Sequence, residues 1–216
     1  MDRPRVLIAD DHAMLREAFQ KFLERDCEVV GSVADGRALL DLAPKVRPDI
    51  ILLDISMPLL NGLDAGLQLK RMMPQVKLIF LTVNCDPDFV KQAFRNGASA
   101  YLLKNCAVAE LYKAIESVMR GKSYVTPLVM QGSEESFRQT PPYHDGVRQL
   151  TSRQREVLQL LAEGYLMKQV ATIMRITPRT VAFHKYRIME QFQLKTNVDV
   201  IQFAMKQGLT PTPVPR

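Results

Sequence analysis

The sequence has no apolar run approaching the ~20 residues needed to cross a bilayer, which excludes a single helical membrane span. Its three cysteines, Cys27, Cys85 and Cys106, are odd in number, far apart and without a CxxC pair. That usage leaves structural, reduced thiols rather than a disulfide framework or a thiolate metal site. The opening MDRPRVLIADD lacks the charged, then long apolar, then small-residue order of a secretory signal. No internal repeat is present. A soluble, cytoplasmic protein with no membrane partner is the expectation. Excess charge is missing too from most of the chain: residues 1–121 hold 16 Lys/Arg and 16 Asp/Glu, and residues 122–148 hold three of each.

The net +6 therefore falls on residues 149–216, where 10 Lys/Arg face 4 Asp/Glu. A short basic end on a neutral body suggests a polyanion as partner of that end alone. The 216 residues suit two domains. In the first 121, short apolar runs alternate with helical spacings such as Met14, Leu15, Ala18, Phe19 and Phe22. The predicted strands are Arg5–Ala9, Glu28–Val33, Asp49–Leu53, Lys77–Leu81 and Ala100–Leu103. Their runs are continuous (IILL, LIFL), as in strands buried on both faces of a parallel sheet. Five βα units predict a five-stranded, doubly wound α/β domain over residues 1–121. The polar stretch at 122–148, with QGSEESFRQTPPYHDG, reads as a flexible linker. Residues 149–216 read as an all-α domain. Thr151 and Gln154 form a capping box before the first helix, and Gly164 suits its end. A short helix spans Met167–Met174, Thr177-Pro178 starts a third running to about Phe192, and Asn197–Lys206 is a fourth.

Ligands of open α/β sheets collect at the carboxyl ends of the strands. Those ends carry Asp10-Asp11, Asp54, Thr82 and Lys104, with separations of 43, 28 and 22 residues from Asp11 onward. Three converging carboxylates repel one another and call for a cation; an all-oxygen site suits Mg²⁺. A lysine and a hydroxyl opposite the metal complete a site for a phosphoryl group. The central carboxylate attacks phosphorus, and the metal, Lys104 and Thr82 stabilise the oxygens.

This constellation resembles the receiver domain of two-component response regulators over about residues 4–121. The matching positions are the acidic pair Asp10-Asp11, the acceptor Asp54 in LLDISMPLLNG, Thr82, and Lys104 in AYLLK. The resemblance implies that Ser56 adds its backbone carbonyl to the metal ligands Asp10, Asp11 and Asp54. It also implies that Tyr101 is a switch aromatic that moves with Thr82, and that Met57-Pro58 and Asn61-Gly62 form the turn after the acceptor. One departure is Val83, where the family has a small residue after the threonine; a branched side chain there is expected to slow phosphoryl exchange.

In the basic domain, LMKQVATIMRITPRTVAFHKYR (166–187) reads as two helices joined at Arg175–Ile176, a helix-turn-helix. Val181, His184, Ile188 and Phe192 mark the inward face of the second helix, with His184 a structural histidine. Arg179, Ala182, Phe183, Tyr186 and Arg187 face outward, with Lys185 beside them. From Leu150 to Leu209 the chain resembles the LuxR-type DNA-binding domain, and receiver plus this domain defines the NarL/FixJ class. The resemblance implies DNA contacts by these residues together with Lys168, Thr177 and Thr180, and a dimer contact through Val198, Ile201 and Met205. Two departures are Leu166-Met167, where the family has a polar cap and Asn, and Ala182, where it commonly has lysine.

The expected function is phosphorylation-regulated transcription control, with Mg²⁺ as cofactor. The partners implied are a sensor histidine kinase, double-stranded promoter DNA, a second copy of the chain on activation, and RNA polymerase. Two other classes stand beside it. An aspartyl-phosphate phosphatase generally has a second acid two residues after the nucleophile, where this chain has Ser56, so an enzyme is not expected. A regulator acting without phosphorylation is the other alternative.

Overall fold

The computed structural model describes residues 3–83, 87–105, 108–131 and 149–209. They fall into two compact units, one built on a sheet and one helical. Among the described residues no helix is long and apolar enough to cross a membrane.

The first unit runs β1 (Arg5–Ala9), α1 (Ala13–Leu23), β2 (Glu28–Val33), α2 (Gly36–Val46), β3 (Ile50–Asp54), α3 (Gly62–Met72), β4 (Lys77–Thr82), α4 (Pro87–Arg95), β5 (Ala98–Leu103) and α5 (Val108–Met119). The sheet order is β2-β1-β3-β4-β5, with β6 (Tyr124–Val125) beyond β5, and every pair is parallel. The first five strands alternate with helices, so the doubly wound class stands. Strand count differs from the expected five: β6 (Tyr124–Val125) adds a sixth, followed by α6 (Pro127–Gln131). The linker reading of residues 122–131 is thus corrected, while residues 132–148 lie outside the described set. Polar Thr126 closes this added edge: its N–H donates to Tyr101 O at 3.0 Å, and its Oγ1 accepts from Leu103 N at 3.3 Å.

Alternation along the strands divides the core. Val6, Ile8, Ile50, Leu52, Ile79, Leu81, Ala100 and Leu102 join Leu23, Cys27, Leu111, Ala114, Ile115 and Val118 in one cluster. Their neighbours Leu7, Ile51, Leu53, Leu78 and Phe80 are buried as well, which is why the strands read as unbroken apolar runs. Cys27 is a free buried thiol, pushed up in pKa by burial; Cys85 and Cys106 lie outside the described residues.

The helical unit comprises α7 (Ser152–Ala162), α8 (Met167–Met174), α9 (Pro178–Gln191) and α10 (Asn197–Lys206). Thr151 and Gln154 make the expected capping box on α7. Gly164, with φ +91°, ends it in the left-handed region that glycine occupies without a Cβ penalty. Val157, Leu160, Val170, Ala171, Met174 and Val181 pack as the core, and the Phe192 and Phe203 rings lie 4.5 Å apart. Arg175 turns the chain between α8 and α9 at φ +55°.

Candidate phosphoacceptor pocket and nucleic-acid interface

Parallel strands place their carboxyl ends together, so β1, β3, β4 and β5 deliver Asp10, Asp54, Thr82 and Lys104 to one edge of the sheet. Asp10 and Asp54 are 0% and 1% exposed. The Lys104 ammonium, its side chain 8% exposed, lies 2.8 Å from an Oδ2 of each. Thr82 is buried, and its carbonyl accepts from Lys104 N at 2.6 Å, tying β4 to β5 beside the pocket. Asp11 is half-buried and Ser56 exposed at the rim; Ser56 N donates to Asp54 Oδ1 at 3.2 Å. Tyr101 is completely buried, and Val83 is exposed.

The approach of α3 is also built into the sequence. Asn61 caps the helix by accepting from Asp64 N at 3.0 Å, and its amide donates back to Asp64 Oδ2 at 3.0 Å. Gly62 N donates to Ile55 O at 2.9 Å. A Cβ on Gly62 would stand 2.0 Å from the Asp54 carbonyl oxygen, so only glycine lets the helix start this close to the acceptor strand.

Burial pushes the Asp54 carboxyl up from its ordinary value, against the charge and hydrogen bond of Lys104. Burial alone would pull Lys104 down; the charge of Asp54 and the bonds to both carboxylates outweigh it and hold the ammonium above its ordinary value. One cation thus balances only part of the acidic cluster. Asp10 Oδ2 and Asp54 Oδ2 share the Lys104 ammonium, and Asp11 Oδ1 lies beside His12 Nδ1. Ligand atoms of Asp10, Asp11, His12 and Asp54 all lie within 4.8 Å of one another. Oxygen-rich, under-neutralised and compact, this set fits a hard divalent cation. His12, which the sequence reading left out, stands 2.7 Å from Asp11 Oδ1 and 3.2 Å from Asp10 Oδ1 through Nδ1. Its adjacency to the acidic pair was the available signal.

In the helical unit, Thr177 caps α9 by accepting from Thr180 N at 3.1 Å. Lys168, Arg179, Phe183, Tyr186 and Arg187 are exposed, while Thr180 and Ala182 are half-buried. Lys185 is half-buried rather than free: it donates to Asn197 Oδ1 at 2.5 Å, a contact between α9 and α10 that helical spacing could not show. Val181 and Ile188 are buried; His184 and Phe192 are half-buried. Burial, then the charge of Arg153, lowers the His184 pKa from its ordinary value and so favours the neutral ring. On α10, Val198 is exposed and Ile201 and Met205 half-buried. At α8 the expected weak cap is present: Leu166 has no side-chain acceptor, and only the return bond forms, from Leu166 N to Gln169 Oε1 at 2.8 Å.

A phosphoacceptor-type pocket on a parallel sheet, followed by a basic helix-turn-helix, defines a DNA-binding response regulator. The chain belongs to the receiver-plus-LuxR-type family of two-component transcription regulators: the response regulator receiver domain matches residues 6–116, and the luxR family of bacterial regulatory proteins matches residues 148–204. It is 34% identical to the oxygen regulatory protein NreC of Staphylococcus aureus, over 95% of this chain and 98% of the relative. A structure of RcsB from Salmonella enterica serovar Typhimurium, bound to promoter rprA with the phosphomimetic BeF3-, is similar at 26% identity and TM-score 0.60, over 94% of this chain and 98% of that one. Two RcsB dimers bound to two parallel DNAs are similar at 25% identity and TM-score 0.58, over 95% and 99%.

Proposed function

We propose that Asp54 accepts a phosphoryl group from a sensor histidine kinase, and that this modification controls dimerisation and promoter binding. The observation that carries the reading is the Lys104 ammonium 2.8 Å from both Asp10 and Asp54 in a buried pocket. Asp10, Asp11, Asp54 and the Ser56 carbonyl would hold Mg²⁺, which when bound neutralises charge on phosphoryl oxygens. A carboxylate oxygen of Asp54 forms the new bond to phosphorus while the bond to the donor histidine nitrogen breaks. The phosphoryl group brings roughly two negative charges. Lys104 turns to it, Thr82 donates its hydroxyl, and Tyr101 follows Thr82.

In the helical domain, α9 enters the major groove, with Arg179, Arg187, Lys168, Thr177 and Thr180 contributing to its hold on the duplex. Lys185 serves less directly, because Asn197 holds it. The exposed Val198, with Ile201 and Met205, forms the contact between two copies, and RNA polymerase is the partner of the bound dimer. The protein acts in the cytoplasm, where kinase and chromosome are both accessible. Its family consists of regulators rather than enzymes, and Ser56 supplies no second acid for phosphatase chemistry.

Purified protein with Mg²⁺ and beryllofluoride tests this. Sedimentation should show dimers, and binding to a candidate promoter fragment should tighten; Asp54→Ala should lose both responses. Equal behaviour with and without the analogue would leave a regulator that works without phosphorylation.

A further inference from the structure

The outward strip of α9 is unusual for a surface that meets a polyanion. Its ends are cationic, Arg179 and Arg187, but its centre is Ala182, Phe183 and Tyr186. Phe183 is 59% and Tyr186 61% exposed, so neither serves the core. Lys185, the cation nearest that centre, donates to Asn197 at 2.5 Å and lies 5.8 Å over the Tyr186 ring, so Phe183 is the apolar group left at the centre. The Phe183 ring has two neighbours: His184 meets it edge-on at 5.7 Å, and the Arg187 guanidinium lies 5.9 Å over it. Arg187 is in turn 3.5 Å from Glu190. An aromatic ring thus stands out between two arginines on a helix whose domain carries 10 Lys/Arg against 4 Asp/Glu. The charge excess favours a nucleic acid over a protein as its occupant.

We propose that Phe183, flanked by Ala182 and Tyr186, reads the 5-methyl groups of thymines, so that operators are chosen by apolar contact at the centre of the helix. The inference rests on the reading that α9 enters the major groove. On the floor of that groove the thymine methyl is the apolar group among hydrogen-bonding edges, and Phe and Ala are side chains that meet it. A phenyl ring there cannot satisfy the acceptors of guanine or the donor of cytosine, so it also disfavours those bases by leaving their polar edges dry. Arg179 and Arg187, at either end, hold the phosphates and carry the salt dependence.

The test begins by selecting duplexes from a random-core DNA library with the full-length protein, Mg²⁺ and beryllofluoride. Each thymine of a selected duplex is then replaced singly by deoxyuridine, which removes only the methyl. Fluorescence anisotropy at fixed salt reads the dissociation constant. One or two positions should weaken about fourfold, the value of one buried methyl group. Phe183→Ala should bind thymine and uracil duplexes alike, and its exposure means that the fold survives. Phe183→Lys should also lose the discrimination while steepening the dependence of affinity on salt by roughly one counterion per half-site. Indifference of the wild type to deoxyuridine everywhere, or discrimination that persists in Phe183→Ala, overturns the inference while DNA binding itself stands. Failure to select any duplex overturns the DNA-binding reading and the inference together.

Discussion

In the sheet domain Asp10, Asp54 and the Lys104 side chain are almost entirely out of water, whereas in the helical domain Arg179, Phe183, Tyr186 and Arg187 stand in it. The pocket and the two arginines are both concerned with phosphate in the proposed function, yet their energetics are opposite. Buried charges interact strongly and depend on one another, so adding or removing one unit of charge re-sorts the group. Exposed charges on α9 are screened and nearly independent, which suits a surface that must be engaged and released as a whole. The contrast teaches where a small chemical change has leverage: at the buried floor of the sheet edge, where little solvent reaches to absorb it.

The largest effect that could break this contrast is Lys104→Met. It strands two buried carboxylates and should cost the sheet domain about 3–5 kcal/mol, read by urea unfolding of the full chain. Arg187→Met, whose partner Glu190 is 3.5 Å away at the surface, should change stability little. Similar losses in the two variants would mean that burial is not what separates the sites. Next comes Gly62→Ala, which drives a Cβ against the Asp54 carbonyl. A loss of about 1–3 kcal/mol is expected from overpacking, with slower phosphorylation of Asp54 by a small phosphodonor. Unchanged stability would show that the loop can step aside.

Smaller again, Leu166→Ser should add an acceptor where α8 has none and raise the unfolding free energy of the helical domain by about 1 kcal/mol, read by urea unfolding. DNA affinity measured on the same variant tells whether the bare cap serves binding. The least effect is expected from pH. Burial and Arg153 hold His184 below its ordinary 6.5, so its neutral form is favoured in the fold. That stabilisation is present above 6.5 and is lost as pH falls through the lower folded value. Thermal midpoints of the helical domain should fall with acidification, and His184→Gln should flatten that fall.

Much of this was legible in the sequence for physical reasons. Runs such as IILL declare a strand buried on both faces, and the carboxyl ends of such parallel strands put Asp10, Asp54, Thr82 and Lys104 at one edge. Capping chemistry announced α7 and α9, since Thr151–Gln154 and Thr177-Pro178 act within one turn. What escaped the sequence was tertiary or too short to have a period. β6 has two residues in a polar stretch, and Thr126 closes it through bonds to residues more than 20 positions away. The bond from Lys185 to Asn197 escaped it too, because spacing alone cannot reveal a partner across the interhelical gap. His12 was overshadowed by the acids beside it.

The clip made by Thr126 also ties the added edge strand to the strand end beside the pocket. Because it bonds to the backbone of Tyr101 and Leu103, three and one residues before Lys104, any shift of the pocket's lysine along its strand is passed directly to the outermost strand of the sheet.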